Sequence, residues 1–414
     1  MTHPFLNTKS LTLVVTLFVA LSLFSAATWA QAINESEPES EPAMSEELAN
    51  DMKAVFGPRT ESQQAAAAAE AAWFRSLYEF ITASGDDYSL AAILAKQLGS
   101  FKTNQLMAKI QHDQDTSDAL NDTSFQPLAD ALNLLIAQAE LSPEALDVMT
   151  ALCLDEHIKD HCHANVLLEK RMRTDGFNLH AYWRPFDLAS QSNNAVLQGR
   201  LLELMTLANR SHSFHYIKPT LTSLIDQFMA TNPFPELATK HLIATYRQMS
   251  GLSDEKKQQL EELIPAYLPS YVKWSFNYIN DVPPYRSLID YCQTNKQQIE
   301  SCNHVADTMI NASNNIMDKG MGYTLKLATA ELSGNQQDLK QAQQAHDQFK
   351  ASYQCLVELT RDEHHMDSFF NPTYRQINLE PIGEFEKLKK LAAWRYQQRQ
   401  TAGDKNAIDP ASCL

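Results

Sequence analysis

The chain has 414 residues, 44% of them hydrophobic, with only 11 glycines and a formal net charge of −16. Its length suits two or three domains of roughly 100–200 residues, or one long repeat array. Scarce glycine with abundant Ala, Leu, Gln and Glu favours helices over turn-rich sheet, and so acidic a surface repels phosphate backbones and argues against a nucleic-acid partner.

Residues 1–30 read as a secretory signal peptide. Lys9 and the amino terminus give a positive start, Leu11 to Ala27 carries no charged side chain, and small residues follow in Ala27-Thr28-Trp29-Ala30-Gln31-Ala32. Cleavage is expected after Ala30 or Ala32, into the periplasm or beyond. An uncleaved anchor is the alternative, because the apolar run approaches the ~20 residues of a membrane helix. No cysteine directly follows that run to take a lipid, and no second run of spanning length occurs downstream. Residues 31–59 form an acidic linker containing Glu-Ser-Glu-Pro repeats. It is too poor in apolar groups to offset its ordering entropy and is expected to be a disordered tether.

Residues 60–140 read as an N-terminal helical region. A helix is expected from near Thr60, with Trp73, Leu77 and Ile81 at i, i+4 and i+8 on one face. Ala65 to Ala69 let a second helix approach closely. Ser84-Gly85-Asp86-Asp87 is a turn, and Tyr88 to Leu98 resumes helical spacing through Leu90, Ile93, Leu94 and Leu98. The polar, aspartate-rich stretch from Gln111 to Phe125 reads as a loop. Leu128, Leu132, Leu135 and Ile136 mark the next helix. No run of period-two alternation stands out, so the fold class is all-α.

Residues 141–414 read as a helical-hairpin domain. Ser142-Pro143-Glu144 is a helix start. That helix carries Ala145, Met149 and Leu152 on one face and ends near Cys153. After a polar stretch, Cys162 opens a second helix with Ala164, Leu168 and Met172, and Asp175-Gly176 is expected to stop it with glycine in the left-handed conformation. A similar unit follows Pro283-Pro284. A helix through Leu288 ends near Cys292, a polar stretch intervenes, and Cys302 lies on a helix with Ile299, Ala306 and Ile310, expected to stop at Gly320.

All six cysteines lie after the signal segment, and an even count in an exported chain reads as disulfides. One straight helix would hold cysteines nine or ten positions apart at about 14 Å, whereas a disulfide needs Cα atoms within ~7 Å. These pairs bond only where the chain turns back. The expected pairs are Cys153–Cys162 and Cys292–Cys302, leaving Cys355–Cys413 to tie down the C-terminal tail. Ser190-Gln191-Ser192-Asn193 and Ser333-Gly334-Asn335 are further turns of the kind seen at Ser84-Gly85-Asp86.

This helix–turn–helix organisation, over roughly residues 73 to 350, resembles tetratricopeptide-like helical-repeat proteins. In particular it resembles exported bacterial proteins of unassigned function with cysteine-stapled hairpins. The resemblance implies an array of antiparallel hairpins, an α-solenoid or similar, with a concave surface for a protein or peptide partner. It implies no chemistry and no cofactor.

Three clusters bear on other functions. His157, His161 and His163 stand beside Cys153, Glu156, Asp160 and Cys162. Imidazoles at i and i+4 on one helix share a metal readily, and His157-Ile158-Lys159-Asp160-His161 is similar to the inverted zinc-protease signature with Asp in place of Glu. A metal-dependent hydrolase is therefore one alternative, with a polar hairpin corner as the plainer reading. Asp362, Glu363, His364, His365 and Asp367 form a second polar cluster that suits either a weak metal site or a solvated loop. Tyr267, Tyr271, Trp274 and Tyr278 form a helical aromatic ladder, either core or a face for a small ligand or glycan. Pro265 and Pro269 are expected to delay the start of that helix. Tyr182-Trp183-Arg184-Pro185 and His212-Ser213-Phe214-His215-Tyr216 read as helix ends. No nucleophile elbow, phosphate-binding glycine loop, dinucleotide fingerprint or Cys-x-x-Cys occurs. The leading expectation is an exported interaction scaffold rather than an enzyme.

Overall fold

A computed structural model describes residues 60–112, 125–214, 217–249, 251–276, 283–361 and 366–414. The signal segment, the acidic linker, most of the 111–125 stretch, His215, Tyr216, Tyr278 and the cluster from Asp362 to His365 lie outside the described residues.

The helix-favouring composition is realised as seventeen α-helices with no strand among the described residues. In chain order they are α1 (Glu61–Thr82), α2 (Asp87–His112), α3 (Gln126–Ile136), α4 (Pro143–Cys153), α5 (Ala164–Thr174), α6 (Trp183–Gln191), α7 (Ala195–Met205), α8 (Pro219–Thr231) and α9 (Glu236–Gln248). They continue with α10 (Asp254–Gln258), α11 (Leu260–Trp274), α12 (Tyr285–Thr294), α13 (Ile299–Asn311), α14 (Ile316–Ser333), α15 (Gln336–Thr360), α16 (Pro372–Leu379) and α17 (Glu384–Thr401). Sheet-like pairing among the described residues is limited to two isolated parallel bridges, Asn178 with Arg210 and Ser211 with Ser313.

Local chemistry explains most of the boundaries. Thr60 and Gln63 form a reciprocal capping box at α1. The Ser142 hydroxyl accepts from the Ala145 amide at 3.3 Å, with Pro143 in the first turn of α4. Gly85 and Gly334 take positive φ at the expected turns.

Four boundaries differ from expectation. Helix α2 runs past Leu98 to His112, because Gly99 alone costs a helix only about 1 kcal/mol and no stronger stop intervenes. Gly176 is not left-handed; a Cβ there would stand 2.6 Å from the Met172 carbonyl, so it is needed for close backbone approach. Gly320 lies inside α14 rather than at a stop. Helix α11 continues through Pro265 and Pro269. The carbonyls these prolines orphan belong to Glu261 and Pro265, both exposed residues on the solvent side of the helix, where a lost bond costs least.

Two main cores are interleaved along the chain. One takes Trp73 to Leu167, then Ile217 to Phe276, then Phe369 and Phe370. The other takes Leu179 to Ala208 and Tyr285 to Leu325. The polypeptide thus crosses between cores four times, and the crossings at 168–179 and 208–217 run side by side. Sequence neighbours pack in α4–α5, α6–α7, α13–α14 and α14–α15, while α1 packs on the distant α8 and α9. A small third cluster joins α15, α17 and the C-terminal turn.

Cys153–Cys162, Cys292–Cys302 and Cys355–Cys413 are disulfide-bonded, with Cα separations of 5.4, 6.0 and 5.6 Å. These are the pairs the chain-reversal reasoning favours. Three disulfides with no free cysteine among the described residues indicate an oxidising compartment outside the cytoplasm. No helix of the described residues is long and apolar enough to cross a membrane.

Candidate functional site

The histidine corner does not gather into a metal site. Residues 154–158 are turns and Lys159–His161 is a single 3-10 turn, so His157 and His161 do not share a helix face. The tight reversal needed to close Cys153–Cys162 is what breaks the helix there. His157 stacks flat on Phe125, with ring centroids 4.8 Å apart. The corner is clamped from α3 instead: Asn133 Nδ2 donates to the His161 carbonyl at 2.8 Å, and the His163 amide donates to Asn133 Oδ1 at 3.0 Å. No three His, Cys, Asp or Glu side chains among the described residues are placed to hold a metal ion.

The aromatic ladder is core. Tyr267 and Tyr271 are fully buried. The Tyr246 hydroxyl donates to Tyr267 at 3.3 Å, and the Tyr271 hydroxyl donates to Glu70 at 3.0 Å. Burial pushes both Tyr267 and Tyr271 well above the ordinary tyrosine range. Trp274 packs on Phe369 at 5.7 Å. Of this ladder's described members, neither tyrosine presents a face to solvent.

An apolar surface appears elsewhere, on a region with no sequence motif. Of the twelve exposed large hydrophobic side chains among the described residues, seven lie between Val166 and Leu207. A groove of about 290 Å³ runs between α5 and the α6–α7 hairpin. Leu168 and Met172 of α5, Pro185, Leu188 and Ala189 of α6, and Leu197 and Leu201 of α7 line it. Val196, 84% exposed, stands on the same helix as Leu197. The cause is a helix that is apolar on more than one side. Leu201, Leu202 and Met205 face the second core, so Val196, Leu197 and Leu204 have no core left to enter. Asn193 in the left-handed region (φ 51°) and an Asn194 cap accepting from the Leu197 amide at 3.0 Å set the hairpin.

Where the chain crosses between the cores, the packing is polar. Asp318, on the first turn of α14, is fully buried. It accepts from His180 Nε2 at 2.8 Å, Ser211 Oγ at 2.5 Å and Ser313 Oγ at 3.1 Å, and from the Tyr285 hydroxyl. Burial alone would raise this carboxyl, but the His180 charge and the bonds from His180, Ser211 and Tyr285 outweigh it and hold it below its ordinary value. Burial, reinforced by the Asp318 charge, pushes Tyr285 well up. Asn178 ties in the parallel crossing by donating to Asp175 and the His212 carbonyl and accepting from the His212 amide. Burial, with Arg210 and His180 nearby, lowers His212. Arg171 and Asp147 form a second buried pair at this level, and the Phe214 amide donates to Asp147 at 3.3 Å. Ser211 gives its hydrogen bond to the carboxylate rather than to the imidazole. The arrangement is therefore an anion held by four donors that joins α12, α14, the 179–181 turn and the 210–214 crossing.

Sequence reasoning placed Trp183 and His212 at helix ends and did not connect Asp318 with either. The contacts of Asp318 span 5 to 138 positions in the chain. The one local signal is Asp147, a charge set inside the apolar run Ala145, Leu146, Val148, Met149 of α4.

No protein-family model, curated protein or solved structure matches the chain, so the reading of these sites rests on its own residues.

Proposed function

We propose that this protein is an exported, disulfide-stapled helical scaffold that holds an apolar segment of a partner protein in the groove between α5 and the α6–α7 hairpin. The observation that carries the reading is a groove walled by three helices and lined by the exposed Leu188 and Leu197, within the stretch that holds seven of the twelve exposed large hydrophobics among the described residues. Contiguous apolar surface is costly to leave in water and characteristically marks an interaction site, and an amphipathic helix laying its apolar face into such a groove is a common recognition mode. The stapled hairpins are the units of the scaffold. Here the tetratricopeptide-like resemblance bears on those units rather than on one continuous superhelix, since α1 packs on α8 and α9. Three disulfides agree with export through residues 1–30 into the periplasm or beyond.

The test is site-specific photocrosslinking in the exporting cell. A photoreactive residue at 196 or 188 should capture a defined protein, while one at Lys340 on α15 should not. Val196→Asp with Leu197→Asp should abolish the crosslink at 188 while leaving the helical circular dichroism unchanged. Equal capture at all three positions, or a crosslink indifferent to the two aspartates, overturns the proposal. Intact mass of the exported protein tests the signal: a start after Ala30 or Ala32 is expected.

A further inference from the structure

Beside the crossing lies a small cavity of about 40 Å³, lined by Asp147 and Thr150 of α4, Arg171 of α5, His180, and Trp183 and Arg184 of α6, with Ser213, Pro283 and Asn315 around them. About 10–15 Å³ of such space is enough for one water, so the cavity holds a group of a few heavy atoms and nothing as large as a sugar or a nucleotide. Its hydrogen-bonding state is one-sided. Arg171 is 5% exposed and Trp183 2% exposed, and both Arg171 Nε and Trp183 Nε1 are buried without a hydrogen-bond partner. Both atoms are obligate donors. No buried acceptor among the lining side chains lacks a partner. Buried polar groups in native proteins are nearly always paired, so two unmet donors on one cavity call for an acceptor inside it.

A water molecule would meet these donors but bring two hydrogens of its own. A carboxylate only accepts, and its flat pair of oxygens matches a guanidinium edge. Charge points the same way. The cavity carries two guanidinium groups, Arg171 and Arg184, against one carboxylate, Asp147, which already accepts from Arg171 and from the Phe214 amide. His180 Nε2 is already engaged by Asp318 at 2.8 Å. Burial depresses Arg184; the Asp187 charge outside the cavity lining works against that shift, and the Arg171 charge adds to it, which places the two cations within each other's field.

We propose that this cavity binds a small monocarboxylate, its oxygens accepting from Arg171 Nε and Trp183 Nε1 with Arg184 supplying the second positive charge. The site is independent of the α5–α7 groove proposal: Arg171 and Trp183 do not line that groove, and the ligand class is different.

The test is calorimetric titration of the oxidised protein with sodium acetate, against sodium chloride at equal ionic strength, together with the indole N–H resonance of Trp183 assigned by its loss in Trp183→Phe. Acetate should bind and chloride should not, and the Trp183 indole proton should move downfield on saturation. Trp183→Phe removes the N–H donor together with the five-membered ring that carries it, so it should weaken acetate at least about tenfold, the size of one hydrogen bond to a charged group. Arg184→Gln should weaken it at least as much. Both variants must keep the wild-type helical signal. Arg171 is left unchanged because its loss would strand Asp147. No acetate binding, chloride binding as well as acetate, or a Trp183 resonance that does not move overturns the proposal. Binding unaffected in both variants places the anion elsewhere and overturns it equally.

Discussion

Replacing Asp318 with alanine should be among the most damaging single changes in the second core. The carboxylate is fully buried and receives His180 Nε2, Ser211, Tyr285 and Ser313. Alanine removes the anion and strands His180 and three hydroxyls in a low-dielectric seam. Breaking a buried charged pair from one side costs about 3–5 kcal/mol, and each donor left without a partner costs about 1–3 kcal/mol where it cannot rotate to another acceptor. Since the hydroxyls of Ser211 and Ser313 can turn, the lower range applies and about 4 kcal/mol is expected. Tyr285→Phe removes one donor and leaves the anion in place, so it should cost about 1.5–3 kcal/mol. The assay is urea denaturation of the oxidised protein, followed by far-ultraviolet circular dichroism. The sign with pH follows from the depressed carboxyl. Folded Asp318 titrates below its ordinary 3.8, so its contribution is fully present above that value and is lost as pH falls through the folded value. The gap between wild type and Asp318→Ala should therefore be constant near neutrality and close below about pH 4. A cost under about 1 kcal/mol, within the range of ordinary surface substitutions, would refute the idea that this anion is the hub of the crossing. So would a cost no greater than that of Tyr285→Phe.

Lys96 gives the same sign at the alkaline end of the pH scale, because its folded value is depressed too. Burial lowers its ammonium to about 8, with the Glu70 charge working against the shift, and its Nζ sits 5.0 Å from the Phe74 ring centre. Between about pH 8 and 10.5 the unfolded chain holds this proton more tightly, so stability from this residue should rise by up to about 1.4 kcal/mol per pH unit; Lys96→Met should flatten that rise, and an unchanged slope would refute the assignment. The Cys355–Cys413 bond closes a separation of 58 residues, against 9 and 10 for the others. Chain entropy then assigns it about 4 kcal/mol and each of the others about 2.6 kcal/mol, an order that paired Cys→Ser variants in a urea series would check. A Cβ on Gly322 would meet Ile310 and Met309 at 2.9 Å, so Gly322→Ala should loosen α13 against α14 and cost about 1–3 kcal/mol in the same assay.

What the sequence determined by itself is what neighbours within a dozen residues decide. Composition and the stripe of Trp73, Leu77 and Ile81 made helices, Thr60 and Ser142 started them, Gly85 and Gly334 turned the chain, and nine- or ten-residue cysteine spacings required a reversal that brought the sulfurs together. The limits of local reading show at Gly176 and Gly320, whose roles depend on the backbone beside them, and at the Tyr267 ladder, where the same spacing serves a groove or a core until the facing helix is known. Only tertiary structure interleaved the two cores, because burial rewards contact without regard to separation along the chain. That interleaving brought His180 to Asp318 across 138 positions, set two unpaired donors on one cavity, and left Val196 and Leu197 with no core to enter. Each of these sites is a residue whose meaning comes from a neighbour that periodicity cannot name.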